Sequence, residues 1–147
     1  VALSKKVNRL RLLVDLATKE EDQASTILRQ ARQALDDAQQ QLDSLKEYRE
    51  SYLAGVSNSM KGASNPYTLT SYQQFVAQLD NAIDQQSLVV NNVSLQFEQA
   101  KKHWVTLREK TKSLAQLRDD THRQELAKEE KKQESRMLDD FISSKYR

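Results

Sequence analysis

Carboxylates and histidines are the side chains with which this chain could do acid–base or metal chemistry. Asp15, Glu20, Glu21 and Asp22 form one acidic cluster, and Glu125, Glu129 and Glu130 form another. A carboxylate becomes a general acid or base when a concave, water-excluded site tunes its pKa. Both clusters instead lie among Lys and Arg, which is the pattern of a solvated helix face. His103 and His122 stand nineteen residues apart with no metal-ligand pattern beside either, so each is expected at a solvent-facing helical position. The chain has no cysteine, which excludes disulfides and thiolate metal sites. It has no glycine-rich phosphate loop and no G-x-S-x-G elbow. These residues indicate a non-enzyme that holds no cofactor and no metal.

The remaining chemistry is that of contact. Lys5, Lys6, Arg9 and Arg11 precede the first acid, Asp15, and Lys101, Lys102, Arg108, Lys110 and Lys112 surround Glu109 alone. Such charge is either solvated or docks into an acidic protein channel. Net charge is only +2 and no helix-turn-helix signature accompanies it, so nucleic acid is not an expected partner. Tyr48, Tyr52, Tyr67, Tyr72 and Phe75 form an aromatic enrichment of the kind that suits a protein contact.

The elements that position these residues follow from a 3,4-spaced seam. It reads Leu3, Val7, Leu10, Val14, Ala17, Glu21, Ala24, Leu28, Ala31, Leu35, Ala38, Leu42, Leu45, Arg49, Tyr52. An average step of 3.5 residues keeps one stripe facing one partner helix, the condition for a left-handed coiled coil. A second seam reads Tyr72, Val76, Leu79, Ile83, Gln86, Val90, Val93, Phe97, Ala100, Trp104, Leu107, Thr111, Leu114, then fades through Arg118 and Thr121. Gly occurs twice and Pro once in 147 residues, against ordinary usage of roughly 7% and 5%, which leaves little room for sheets or globular loops.

Both glycines and the proline lie between the seams. Gly55 is expected as a left-handed C-cap of the first arm. Pro66 restricts Asn65, and Ser71 with Gln74 forms a capping-box start for the second arm. The expected organisation is one domain: arm one 1–54, elbow 55–71, arm two 72–121 and a charged extension 122–147. Folding about residue 62 pairs i with 124 − i and makes the two seams equal in reach. That favours an intrachain antiparallel hairpin, hence a monomer, over arms that each dimerise with another chain. At about 1.5 Å per residue the paired seams run roughly 75 Å. Trp104 then lies opposite Ala17, Glu21 and Ala24, so the largest side chain meets small ones. The fold class is all-α, a long two-helix antiparallel coiled-coil hairpin with a helical or disordered C-terminal extension.

Residues 122–136 carry only Leu126 and Ala127 as apolar residues, so they have nothing to bury. Met137, Leu138, Phe141 and Ile142 then make one short apolar face, either a mobile terminus or a docking segment. No run of about 18 apolar residues exists, so no direct membrane insertion is expected. The opening VALSKKVNRL lacks an apolar signal-peptide core, so secretion by that route is not expected.

The stretches DLATKEEDQA, QQLDSLKEYRESY and YQQFVAQLDNAI, in that order about an elbow of this length, resemble the FliJ family of bacterial flagellar export proteins. The likeness covers roughly Leu12 to Leu117, with a poor match beyond Thr121. It implies a small cytoplasmic coiled coil, peripherally associated with the inner membrane at the flagellar base. It also implies that the end bearing both termini enters the hexamer of the flagellar export ATPase, where Lys5, Lys6, Arg9 and Arg11 are the expected ring contacts. The family's contact with the cytoplasmic domain of the export gate is similar to positions Gln41, Leu45, Tyr48, Tyr52, Phe75, Leu79, Ala82 and Gln86. Position 86 is often histidine in relatives. Export chaperones are further implied partners.

The leading expectation is a stalk-like coiled coil of the flagellar type III export apparatus that promotes ATPase ring formation and links it to the gate. One alternative is an export-chaperone escort acting through the apolar face near Met137 and Phe141. Another is the equivalent stalk of a virulence type III secretion system, and a third is a structural spacer.

Overall fold

The computed structural model describes residues 4–59 and 66–146. Among these the chain forms two α-helices and no strand: α1, Lys5–Ser59, of 55 residues, and α2, Pro66–Lys145, of 80. The helices pack against each other as an antiparallel hairpin. They contribute to two compact units, one of Val1–Ala24 with Trp104–Arg147 and the other of Ser25–His103.

The seam is the core of each unit. In the first, Val7, Leu10, Val14, Ala17 and Ala24 are buried, as is Thr121. In the second, Ala38, Leu42 and Leu79 are buried. Every other described seam position through Glu125 is half-buried, including the polar Glu21 and Arg49. Leu3 lies outside the described residues. Ala17 and Ala24 are among the least exposed residues of the first unit while Trp104 is half-buried, in keeping with a large side chain set against small ones.

Pairings across the helices refine the expected register. Tyr52 stacks on Tyr72, and Gln86 reaches the carbonyl of Ala38, both at the 124 − i partner. Longer polar pairs fall five or six residues beyond it: Arg49 with Asp80, Glu20 with Lys110, Ser4 with Glu125. The offset has a stereochemical cause. Helical side chains lean toward their own N-terminus. In an antiparallel pair those leans converge, so extended side chains meet when the two residue numbers add to more than the backbone register implies.

The helix ends differ from the sequence expectation. α1 runs on through Gly55 to Ser59, and Gly55 does not adopt a positive φ. Glycine inside a helix costs about 1 kcal/mol relative to alanine, which a long packed helix tolerates. α2 begins at Pro66, five residues before Ser71, so Ser71 and Gln74 sit within the helix and cap nothing. Proline suits a first helical position because its missing N–H would have no intrahelical acceptor. The remainder of the expected elbow, residues 60–65, lies outside the described residues. α2 continues through the charged extension to Lys145, and residues 128–146 are exposed throughout. Lys, Glu, Gln and Arg have high helix propensity, which sustains a helix that buries nothing there.

Candidate functional site

Ser4 organises the start of α1. Its Oγ accepts the Val7 amide at 3.1 Å, an N-cap bond, and donates to Glu125 of α2 at 2.8 Å. Lys5, Lys6, Arg9 and Arg11 follow, and all four are exposed. None takes part in an ion pair among the described residues. The first turn of α1 contains no acid, so its lysines oppose the positive end of the helix dipole. Glu125 brings a carboxylate to that end from the other helix.

These four cations do not share one face. Arg11 lines a hollow of about 230 Å³ with Val7, Arg118, Asp119 and His122. Lys5, Lys6 and Arg9 lie elsewhere on α1 and line neither this hollow nor a neighbouring one of about 400 Å³, which His122 and Ser4 border with Glu125, Leu126 and Glu129. His122 borders both hollows and is half-buried, against the expectation of a solvent-facing residue. His103 is exposed.

In the second unit, the eight residues Gln41, Leu45, Tyr48, Tyr52, Phe75, Leu79, Ala82 and Gln86 divide by position. Leu45, Tyr52, Leu79 and Gln86 are seam residues. Gln41, Tyr48, Phe75 and Ala82 each stand immediately before one, namely Leu42, Arg49, Val76 and Ile83. In an antiparallel pair, flank positions of this kind face one another across the same side of the seam. Contacts agree: Tyr48 meets Phe75 edge-on at 6.3 Å and 76°, and Tyr52 lies 4.4 Å from Phe75. Tyr52 and Tyr72 stack at 5.7 Å and 20°. Offset-stacked and edge-on arrangements match the ring quadrupoles.

Accessibility separates these residues further. Tyr48 is 54% exposed, whereas Leu79 is buried at 8%. Leu79 therefore holds the helices together and offers little surface to a partner. Gln41, Leu45 and Gln86 border an open hollow of about 780 Å³ with Asp37, Gln40 and Ser44. The Gln86 amide donates to the Ala38 carbonyl at 3.0 Å, which fixes one wall. Arg49 pairs with Asp80 at 2.5 Å, so this seam cation spans the helices. Arg32 sits over the Phe97 ring at 5.5 Å.

Sequence reasoning missed Asp37, Gln40 and Ser44 as lining residues and Asp80 as a partner. Their only signal is register, and a backbone register without side-chain lean points Arg49 at Phe75. Among the described residues no group of three or more His, Cys, Asp or Glu could hold a metal ion. No described helix is long and apolar enough to cross a membrane. What the two surfaces offer is contact chemistry: cations without an ion pair among the described residues on one unit, and aromatic rings beside an open polar hollow on the other.

The family model described as "Flagellar FliJ protein" matches residues 5–147. A relative named "Flagellar FliJ protein" from Salmonella typhi is 28% identical over 110 residues, covering 75% of each chain.

Proposed function

The chain belongs to the FliJ family of flagellar proteins, and on that premise we propose that it is a non-enzymatic component of the flagellar type III export apparatus. Its first unit docks in the hexamer of the export ATPase and promotes ring formation and hydrolysis. Its second unit contacts the cytoplasmic domain of the export gate. It acts as a single chain in the cytoplasm, peripherally associated with the inner membrane at the flagellar base. The observation that carries this reading is the set of exposed cations Lys5, Lys6, Arg9 and Arg11, which lack ion-pair partners among the described residues. Lys5 and Lys6, in the first turn, oppose the dipole of their own helix, so local stability does not account for them. A single chain inside a symmetric ring touches successive subunits differently, which would couple nucleotide state to the gate.

The test is titration of the protein into the purified export ATPase of the same organism, following hydrolysis and ring assembly together. A rise in both supports the reading. Absence of any effect from a helical, monomeric protein refutes the ATPase role.

A second reading has its own observation. Met137, Leu138, Phe141 and Ile142 form an exposed apolar face on the stretch of α2 that is exposed throughout. Such a face suits an escort role toward export chaperones. Deleting residues 122–147 should then abolish chaperone capture, and unaltered capture excludes the face.

A further inference from the structure

Some leucines of the first unit stand outside the seam and close to one another. Leu12, Leu13 and Leu16 of α1 and Leu117 of α2 are between 47% and 64% exposed. Singly exposed leucines need no explanation, but these cluster. Leu12 and Leu13 each lie one helical turn from Leu16, so the three share one face of α1. Leu117 joins them through the register. Glu20 and Lys110 meet across the helices at 3.7 Å. Leu13 stands one heptad before Glu20, and Leu117 one heptad after Lys110. The antiparallel repeat therefore sets Leu13 and Leu117 across from each other. Together the four expose roughly 300–400 Å² of apolar surface, the range in which a patch on a monomer is often functional.

The same face carries cations. Lys5, Lys6 and Arg9 precede Leu12, Leu13 and Leu16 by seven residues each, so each cation lies two turns along the helix from its leucine. Arg11 has no such counterpart and lines the hollow with Arg118 and His122 instead. The face thus reads as an apolar centre with a basic border on one side, the anatomy of a protein interface core and rim.

We propose that Leu12, Leu13, Leu16 and Leu117 form the apolar centre of the contact with the export ATPase. The ATPase meets them with an apolar groove bordered by carboxylates that face Lys5, Lys6 and Arg9. This rests on the ATPase reading above and revises it in one respect: Arg11 is outside the contact. Charge complementarity selects this occupant, because the three bordering cations are exposed and lack ion pairs among the described residues.

The experiment measures the dissociation constant of the full chain for the purified ATPase at low and high salt. L12Q/L16Q and L13Q/L117Q replace exposed leucines by a residue of similar helix propensity and leave the seam intact. L88Q/L95Q is the control, at exposed leucines of the second unit. Each double variant of the patch should weaken binding about tenfold or more, as loss of central apolar anchors does, at both salt concentrations. The control should bind as the unsubstituted chain does. Arg9→Glu should weaken binding most at low salt, and Arg11→Glu should not. A photoreactive phenylalanine analogue replacing Leu12 should crosslink to the ATPase, and one replacing Leu88 should not. If the unsubstituted chain binds and the patch variants bind equally well, the leucine patch is refuted while the ATPase role stands. If the unsubstituted chain does not bind at all, the ATPase role fails and the patch falls with it.

Discussion

Tyr48 and Leu79 belong to a single candidate surface, yet truncating each should do opposite things. Leu79 is 8% exposed and sits in the seam of a two-helix pair. Leu→Ala in a buried position costs ~2–5 kcal/mol, and a thin core open on both sides collapses around the cavity, so the lower part of that range applies. Leu79→Ala should therefore cost about 2–3 kcal/mol. Tyr48 is half-exposed, and its ring meets Phe75 edge-on at 6.3 Å. Such a pair contributes ~0.5–1.5 kcal/mol beyond area burial, and partial exposure puts Tyr48→Ala at or below about 1 kcal/mol. Urea unfolding followed by far-ultraviolet circular dichroism checks both numbers. Binding to the cytoplasmic domain of the export gate, measured under conditions where both variants are folded, should fall for Tyr48→Ala. It should fall for Leu79→Ala only in proportion to the unfolded fraction. If Tyr48→Ala unfolds at the same urea concentration as Leu79→Ala, the flank ring is core and the division into core and contact residues is wrong. If it leaves gate binding unchanged, the aromatic surface is not the gate contact.

Gly55→Ala should stabilise the protein by about 0.5–1 kcal/mol, because a Cβ there meets nothing within 4 Å and the backbone φ is not positive. A loss of stability would place Gly55 in a left-handed cap after all. Ser4→Ala removes the N-cap bond to Val7 and the bond to Glu125, and should cost about 1 kcal/mol in the same unfolding assay. A cost indistinguishable from zero would show that this end frays regardless. Lys5, Lys6 and Arg9 changed together to Glu should abolish stimulation of the export ATPase without lowering helix content, and unaltered stimulation would remove the basic border from the contact.

The seam was legible because burial on one stripe leaves a period that no other element shares. Every described seam position through Glu125 is buried or half-buried, down to Glu21 and Arg49, whose residue types alone would place them outside. The helix ends were not legible. Gly55 and the Ser71–Gln74 pair carry local signals worth about 1 kcal/mol each. Continuation of two packed helices outweighs them, so α1 passes through one and α2 starts before the other. The aromatic cluster could be read from enrichment alone, but which rings are accessible could not. Tyr48 and Phe75 are both flank residues, and only packing shows that the first is exposed and the second half-buried. Leu12, Leu13, Leu16 and Leu117 went unread for the converse reason. A seam assigns everything off it to solvent and does not ask whether the solvent side is itself patterned.

The first turns of α1 set local stability against contact chemistry. Two lysines occupy the positive end of the helix dipole, where carboxylates contribute ~0.3–1 kcal/mol and cations cost a similar amount. The offset comes from the other helix: Glu125 holds the Ser4 hydroxyl, and Ser4 holds the Val7 amide. A chain selected only to keep its helices paired would place acids in this turn and need no such relay. Retaining Lys5 and Lys6 on one exposed face, with leucines two turns further along it, is the pattern expected when the face is complementary to a carboxylate-bordered partner. The relay also makes the cost conditional. When carboxylates of a partner approach Lys5 and Lys6, the dipole conflict is relieved, so binding should stabilise this end more than any other part of the chain. Hydrogen exchange at the amides of residues 5–12 should slow on addition of the export ATPase, whereas amides near Tyr48 and Phe75 should not respond. Equal slowing throughout would mean that the partner grips the whole chain and that the basic face has no special part in the contact.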